Sequence, residues 1–164
     1  MAASCVSFPD MEAKDQLLET WHINARLNLY LLDAIPEDQL AIKLEKGKTV
    51  EGQFTHIHNV RLMWLKASAP DLREPLEKLE RTGIGKAGLV QHLDASTAAI
   101  AALIDRGWEN GGKVKNFKPH VTAFVGYFIA HETFHRTSAE IALRQAGVPL
   151  SDKTVLGIWE WGSR

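Results

Sequence analysis

The stretch that decides the fold is PHVTAFVGYFIAHETFHRTSAEIALRQA, residues 119–146. A proline opens it, and Gly147 and Pro149 follow it, which is start and stop chemistry for an α-helix. At about 100° per residue, Phe124 and Phe128 lie close together around such a helix. The pattern predicts a helix over 119–146 with one face turned toward a protein interior.

Three earlier segments carry apolar residues at the same helical spacing. We predict that they form helices over Pro9–Ala34, Thr49–Ala69 and Lys86–Arg106. The first must stop before Pro36, because the residue that precedes a proline is pushed out of the helical region. Thr49 suits the N-cap position of the second.

The connections between these helices are long. Residues 70–85 are rich in charge and contain Pro75, so we predict a loop there with room for one helical turn. The tail LSDKTVLGIWEWGSR, residues 150–164, is predicted to be irregular and to pack Trp159 or Trp161 onto the other helices. No segment shows the alternation typical of a strand. The chain is therefore predicted to be an all-α four-helix bundle, one domain over residues 1–164.

Composition removes several classes of function. The net charge is -1, which offers no electrostatic attraction for nucleic acid or an anionic membrane. The lone cysteine, Cys5, cannot form an internal disulfide and has no basic neighbour to stabilise a thiolate. We find no signal-peptide pattern and no run approaching the roughly 20 apolar residues that span a bilayer. We expect a cytoplasmic protein.

His131 and His135 are four residues apart, so on a helix they lie on one face, one turn apart. Phe124 and Phe128 share that face, whereas Arg136 lies well outside its arc, so both imidazoles are predicted to point toward the interior. Buried imidazoles need partners, because burying an unpaired polar group costs on the order of a few kcal/mol. One divalent metal ion would satisfy both. The alternative is a pair of histidines that hydrogen-bond to neighbours or line a wet cleft.

A third ligand must come from another helix, and the second offers His56 and His58. These two lie about 200° apart around a helix, so they cannot both face the core. The apolar arc of this helix is set by Val50, Ile57, Val60, Met63, Trp64 and Ala67. His56 falls inside the arc and is the predicted ligand, whereas His58 is predicted at the surface or beside the ligands. The remaining histidines are predicted to be structural or solvated: His22, His92 and His120.

Residues 131–135 also fit H-E-x-x-H, the helical zinc site in which a glutamate, here Glu132, serves as general base. A longer form of that motif needs a glycine and a histidine where Ser138 and Ile141 stand, and the only late carboxylate that could serve as a third ligand, Glu160, lies in a short tail. A zinc hydrolase is therefore an alternative, but the sequence shows no evident third zinc ligand after the motif. Glu132 is predicted to be a solvated helix carboxylate, with a base or a residue that supports the ligands as the alternative.

The motifs together resemble those of the DinB/YfiT-like superfamily of metal-binding four-helix bundles. They are Trp21, Asn24, Leu31-Leu32, PEDQL at 36–40, QFTHI at 53–57, H-x3-H-R at 131–136 and LRQAGVP at 143–149. The resemblance covers nearly the whole chain and implies a metal site on His56, His131 and His135. The family often continues His-Arg-Gly-Gln after the last ligand. Here Thr137 and Ser138 follow instead, which alters the packing beside the site and leaves the ligands untouched.

The resemblance implies an open site for one divalent metal ion, with zinc as the default and nickel, iron or manganese as other metals that accept imidazole. It also implies a homodimer and a small-molecule substrate, with a low-molecular-weight thiol as partner in a thiol-dependent transferase. Two other hypotheses stay open. One is a non-catalytic metal-binding or stress-response bundle, and the other is a metal-free helical dimer with structural histidines.

Overall fold

Helices make up most of the computed structural model, which describes residues 11–80 and 82–163. In chain order they are α1 (Ala13–Ala34), α2 (Val50–Ser68), α3 (Pro70–Arg73), α4 (Gly85–Glu109), α5 (Val121–Gln145) and α6 (Asp152–Gly157), with 3-10 turns at Glu37–Gln39 and Trp161–Ser163. The four long helices α1, α2, α4 and α5 pack together. Extended pairing among the described residues is limited to isolated bridges. The predicted all-α four-helix bundle is confirmed, while Cys5 lies outside the described residues.

The helix starts follow local capping. Thr49 caps α2 as predicted, since its Oγ1 accepts a hydrogen bond from the Gly52 N–H at 2.9 Å. The N-cap of α5 is His120, whose Nδ1 accepts from Ala123 N–H at 3.2 Å. The predicted first-turn place of Pro119 is therefore wrong, because a side chain able to cap follows the proline. Helix α1 begins at Ala13, whereas the sequence predicted a start at Pro9.

One connection contains the single helical turn that its prediction allowed, and the C-terminal tail is more regular than predicted. The segment after α2 contains α3, with Pro70 in its first turn, where a proline loses no hydrogen bond. The tail is not irregular, because Ser151 caps α6 by accepting from Thr154 N–H at 3.1 Å. Trp159 is 75% exposed and Trp161 38% exposed, so neither tryptophan is buried against the bundle.

The interior consists of two apolar clusters with a polar layer between them. One cluster includes Leu32, Phe54 and Leu143, and the other includes Trp21 and Phe124. Buried polar residues occupy the intervening turns of α1, α2 and α5: Asn24, Asn28, Arg61, Glu132, His135 and Arg136. Burying so many polar groups is tolerable only where they find partners, and the site lies in this layer.

Helix α4, with 25 residues, is long and apolar enough to cross a membrane by length and composition alone. The expectation that no segment approaches spanning length is wrong for this helix. In the bundle, α4 packs against α1 and α2, and its stripe of Leu89, Leu93 and Ile100 is buried. The core helix of a soluble protein can have the same length and composition, so these two properties are weak evidence that α4 spans a membrane.

Candidate metal centre

The three histidines predicted as ligands come together between α2 and α5. His56 and His131 are partly buried and His135 is buried, and one potential ligand nitrogen from each lies within 4.8 Å of the other two. The ring centroids of His56 and His135 are 4.5 Å apart, and those of His131 and His135 are 4.6 Å apart. Helical spacing on α5 and the facing of α2 therefore converge on one point, as the sequence predicts.

Gln53 orients His135. Its side-chain oxygen Oε1 lies 2.6 Å from His135 Nδ1, and an amide oxygen can only accept, so Nδ1 carries the proton. The Nε2 of a neutral His135 is then an unprotonated lone pair. Gln53 belongs to the QFTHI motif at 53–57, and no role for it follows from the sequence alone. Its place one turn before His56 on α2 was the available signal.

The lone pair of His135 Nε2 points at a second imidazole nitrogen, His131 Nε2, 3.2 Å away. His131 Nδ1 is buried and has no hydrogen-bond partner among the described residues. The protein thus sets one tautomer for His135 and leaves that of His131 open. Nitrogens from separate imidazoles that converge without a full set of donors fit a cation that accepts lone pairs.

Burial favours the neutral form of His131 and His135. It lowers the pKa of His135 to about 3, and the charged forms of His131 and His56 and the ammonium of Lys48 lower it further. Burial likewise lowers the pKa of His131. Neutral imidazole is the form that binds a metal ion, so near pH 7 His131 and His135 could each bind one without first losing a proton.

Glu132 is fully buried, and the prediction of a solvated carboxylate is wrong. Its oxygens accept hydrogen bonds from Asn24 Nδ2 at 2.7 Å, Asn28 Nδ2 at 2.6 Å, and Arg61 Nε and Nη2 at 2.7 and 2.9 Å. The donors lie on α1 and α2, far away in sequence. A carboxylate held by four N–H donors is poorly placed to take a proton from water, so this geometry does not support the general-base role of the H-E-x-x-H alternative.

Arg61 connects this carboxylate to α4. Its Nη1 donates to Leu93 O at 3.1 Å, Ser96 Oγ at 3.2 Å and Thr97 Oγ1 at 2.9 Å. Its guanidinium also lies 4.8 Å from the ring centre of Trp21. All three guanidinium nitrogens therefore have acceptors, which makes burial of the charge tolerable.

Arg136 was placed outside the interior arc of its helix, and the structure corrects this because its side chain is buried. Its Nη1 donates to the Oδ1 atoms of Asn24 and Asn28 at 2.9 and 2.7 Å, and its Nη2 donates to Thr133 Oγ1 at 2.7 Å. Burial lowers the pKa of Arg136 to about 10, which leaves it charged near pH 7. The two asparagines thus join Arg136 to Glu132.

His58 is buried rather than at the surface. Its Nε2 lies 2.8 Å from Glu77 O, and its ring makes an edge contact with His92 at 5.4 Å between centroids. Burial lowers the pKa of His58. It therefore supports the segment after α3, away from the three-histidine cluster. Met63 departs from the predicted apolar arc of α2, since it is 52% exposed.

The family model described as DinB family matches the chain over residues 11–160. No curated protein matches the chain. Because the matched residues make up most of the chain, it belongs to the DinB family, and the resemblance recognised in the sequence is confirmed.

Proposed function

We propose that this DinB-family protein binds one divalent metal ion through His56, His131 and His135 and acts as a metal-dependent enzyme of the thiol-dependent transferase type. The observation that carries the proposal is the convergence of three imidazole nitrogens within 4.8 Å of one another. The single domain, the cytoplasmic location and the homodimer expected from the sequence belong to the same proposal.

Three imidazoles leave part of the coordination shell of a four- to six-coordinate metal open, which is typical of catalytic sites. Zinc is the default, and nickel, iron or manganese would also accept nitrogen ligands. When bound, such an ion supplies Lewis acidity that lowers the pKa of a thiol or water. The protein's own contribution is to keep His131 and His135 neutral and to fix the orientation of His135 through Gln53.

A non-catalytic metal-binding bundle is the second candidate, and the state of Glu132 favours it. Both oxygens of this neighbouring carboxylate are engaged in hydrogen bonds, so it is not available as a base. A transferase that uses a thiol does not need a protein side chain as the base, since coordination to a metal itself favours the thiolate. Turnover therefore separates the two candidates.

The first experiment is elemental analysis of protein purified without chelator or metal-affinity resin. We expect about one divalent metal per chain and its loss in His131→Ala. His22→Ala is the matched control, because His22 is a partly buried histidine outside the cluster. Full occupancy in His131→Ala would overturn the ligand assignment.

The second experiment measures conjugation of L-cysteine to an electrophilic chlorodinitrobenzene by metal-loaded protein. We expect thiol-dependent turnover that disappears with the metal and in His131→Ala. Full metal occupancy without turnover across a panel of thiols and electrophiles would instead support the non-catalytic bundle.

A further inference from the structure

A cleft of about 500 Å³ opens beside His56. Its walls come from the connector before α2, the first turns of α2 and the segment between α3 and α4. Three lysines line it, Lys43, Lys48 and Lys78, together with a single carboxylate, Glu80. Because His56 belongs both to this cleft and to the three-histidine cluster, a molecule in the cleft would reach the candidate metal centre.

The outer wall of the cleft is held in place by two side chains of α2. Glu51, which is buried, accepts hydrogen bonds from the backbone N–H groups of Gly83, Ile84 and Gly85 at 2.9, 2.7 and 2.8 Å. Asn59 pairs with Leu79 in both directions, at 2.9 and 3.0 Å. The segment that carries Lys78 is thus built against α2, and the cleft is part of the fold.

The three lysine charges are not neutralised within the described chain. None of the ammonium groups of Lys43, Lys48 and Lys78 forms an ion pair with a carboxylate there. Three lysines against one lining glutamate make the cleft cationic, whereas the whole protein has a net charge of -1. Like charges gathered at one concave surface attract an anion.

Geometry connects this charge to the histidines, because His56 lines the cleft together with Lys48 and also belongs to the three-histidine cluster. Thr55, whose residue lines the cleft, has a buried hydroxyl oxygen without a hydrogen-bond partner among the described residues. A buried hydroxyl without a partner indicates a position that a polar ligand could complete.

We infer that this cleft binds the anionic group of the small molecule that reacts at the three histidines, so that the molecule is an anion rather than a neutral or cationic compound. The inference rests on the proposed function for the reacting end of the molecule. The anion site itself rests on Lys43, Lys48, Lys78 and Thr55. Carboxylates and phosphates share the required chemistry.

The test compares three thiols of similar length that differ in charge: 3-mercaptopropionate, 2-mercaptoethanol and cysteamine. Calorimetric titration into zinc-loaded protein at low salt should give the tightest binding for the anionic thiol, about tenfold tighter than for the cationic one, with the preference weakening as salt rises. Equal affinity for all three thiols would overturn the inference and leave the metal proposal standing.

Lysine variants then test whether the preference for the anionic thiol arises at this cleft. Lys48→Gln and Lys78→Gln should each weaken 3-mercaptopropionate by about threefold and leave 2-mercaptoethanol unchanged. Lys66→Gln is the matched control, because Lys66 is an exposed lysine of α2 outside the cleft. Equal weakening in the control would point to general charge rather than to this site and would contradict the inference.

A metal-independent arm uses succinate and metal-free protein, followed by backbone amide NMR shifts. Succinate should shift the amide signals of residues 43–49 and 78–82, and these shifts should shrink in the Lys48→Gln and Lys78→Gln variants. That result would support the anion site even if elemental analysis found no metal, in which case only the proposed function fails. Succinate binding that is absent, or unchanged in the Lys48→Gln and Lys78→Gln variants, would overturn the anion site whether or not zinc binds.

Discussion

Two polar clusters lie side by side in this bundle, and they differ in how completely their hydrogen bonds are satisfied. The histidine cluster is His56, His131 and His135, and the ion-pair cluster is Glu132 with Arg61 and Arg136 and the two asparagines of α1. On α5 they alternate, since Glu132 follows His131 and Arg136 follows His135. The carboxylate of Glu132 has a full set of donors, whereas His131 and His135 face each other through nitrogens.

The difference shows which cluster serves the fold and which is available to a ligand. A buried charged network is tolerable only when its members are satisfied, and a satisfied network connects the helices that contribute to it. Arg61 and Glu132 thereby join α1, α2, α4 and α5. The histidine cluster joins α2 and α5 and brings one potential ligand nitrogen from each of three imidazoles within 4.8 Å of the other two, which is the requirement of a metal site.

The largest expected effect comes from breaking the ion-pair cluster. Arg61→Ala removes the partner of a fully buried carboxylate and should lower the free energy of unfolding by about 3–5 kcal/mol, measured by urea denaturation. Arg26→Ala is the control, since the Arg26–Glu19 pair is 42% and 46% exposed, and it should cost less than about 1 kcal/mol. Similar losses in the two variants would contradict the structural role of the network.

The next largest effect is the stabilisation by zinc, which should depend on the histidine cluster. Zinc at 100 times its dissociation constant should raise the stability of the wild-type protein by about 2.7 kcal/mol, and His135→Ala should abolish this gain. Thermal unfolding with and without zinc measures it, with His22→Ala as the control that retains the gain. An undiminished zinc response in His135→Ala would remove this histidine from the proposed site.

A smaller effect tests how the histidine cluster is oriented. Gln53→Ala removes the acceptor of the His135 Nδ1 proton, and loss of such a partner typically costs about tenfold or more in metal affinity. Gln53→Glu keeps an acceptor oxygen and should restore affinity. Competition with a zinc-binding dye measures both. An alanine variant with wild-type affinity would show that Gln53 does not orient the ligand.

The smallest effect is the pH dependence of metal-free protein. The folded-state pKa of His135 is about 3, below the ordinary 6.5, so between these values the unfolded state binds more protons. Stability should therefore fall as pH drops below 6.5, by on the order of 1 kcal/mol by pH 5 after allowance for solvent screening. Urea titrations at each pH measure the slope. His135→Asn should flatten it, and a slope unchanged in that variant would assign the effect to other groups.

Local features of this protein could be predicted because they depend on spacing alone. The four long helices follow from apolar periodicity, and the shared face of His131 and His135 follows from the geometry of one helix. The choice of His56 over His58 also needed only the direction of two side chains on α2. The structure brings these three histidines together as expected.

The predictions that failed concern polar residues whose partners lie on other helices. Glu132 was predicted to be solvated because its donors on α1 and α2 are distant in sequence, and Arg136 was misplaced for the same reason. His58 was predicted at the surface because nothing near it in sequence shows that the segment after α3 covers it. Side-chain direction on one helix does not determine what the neighbouring helix places opposite it.

The sequence by itself thus determined the helical class, the family and the face on which the histidines lie, since each depends on residues close together along the chain or on recognisable motifs. Only the tertiary structure decided which polar groups are satisfied and which are left for a ligand. It also formed the lysine-lined cleft, through Glu51 and Asn59 holding a distant segment against α2. The physical reason is that hydrogen-bond satisfaction and charge convergence belong to pairs of elements, and those pairs exist only once the helices have packed.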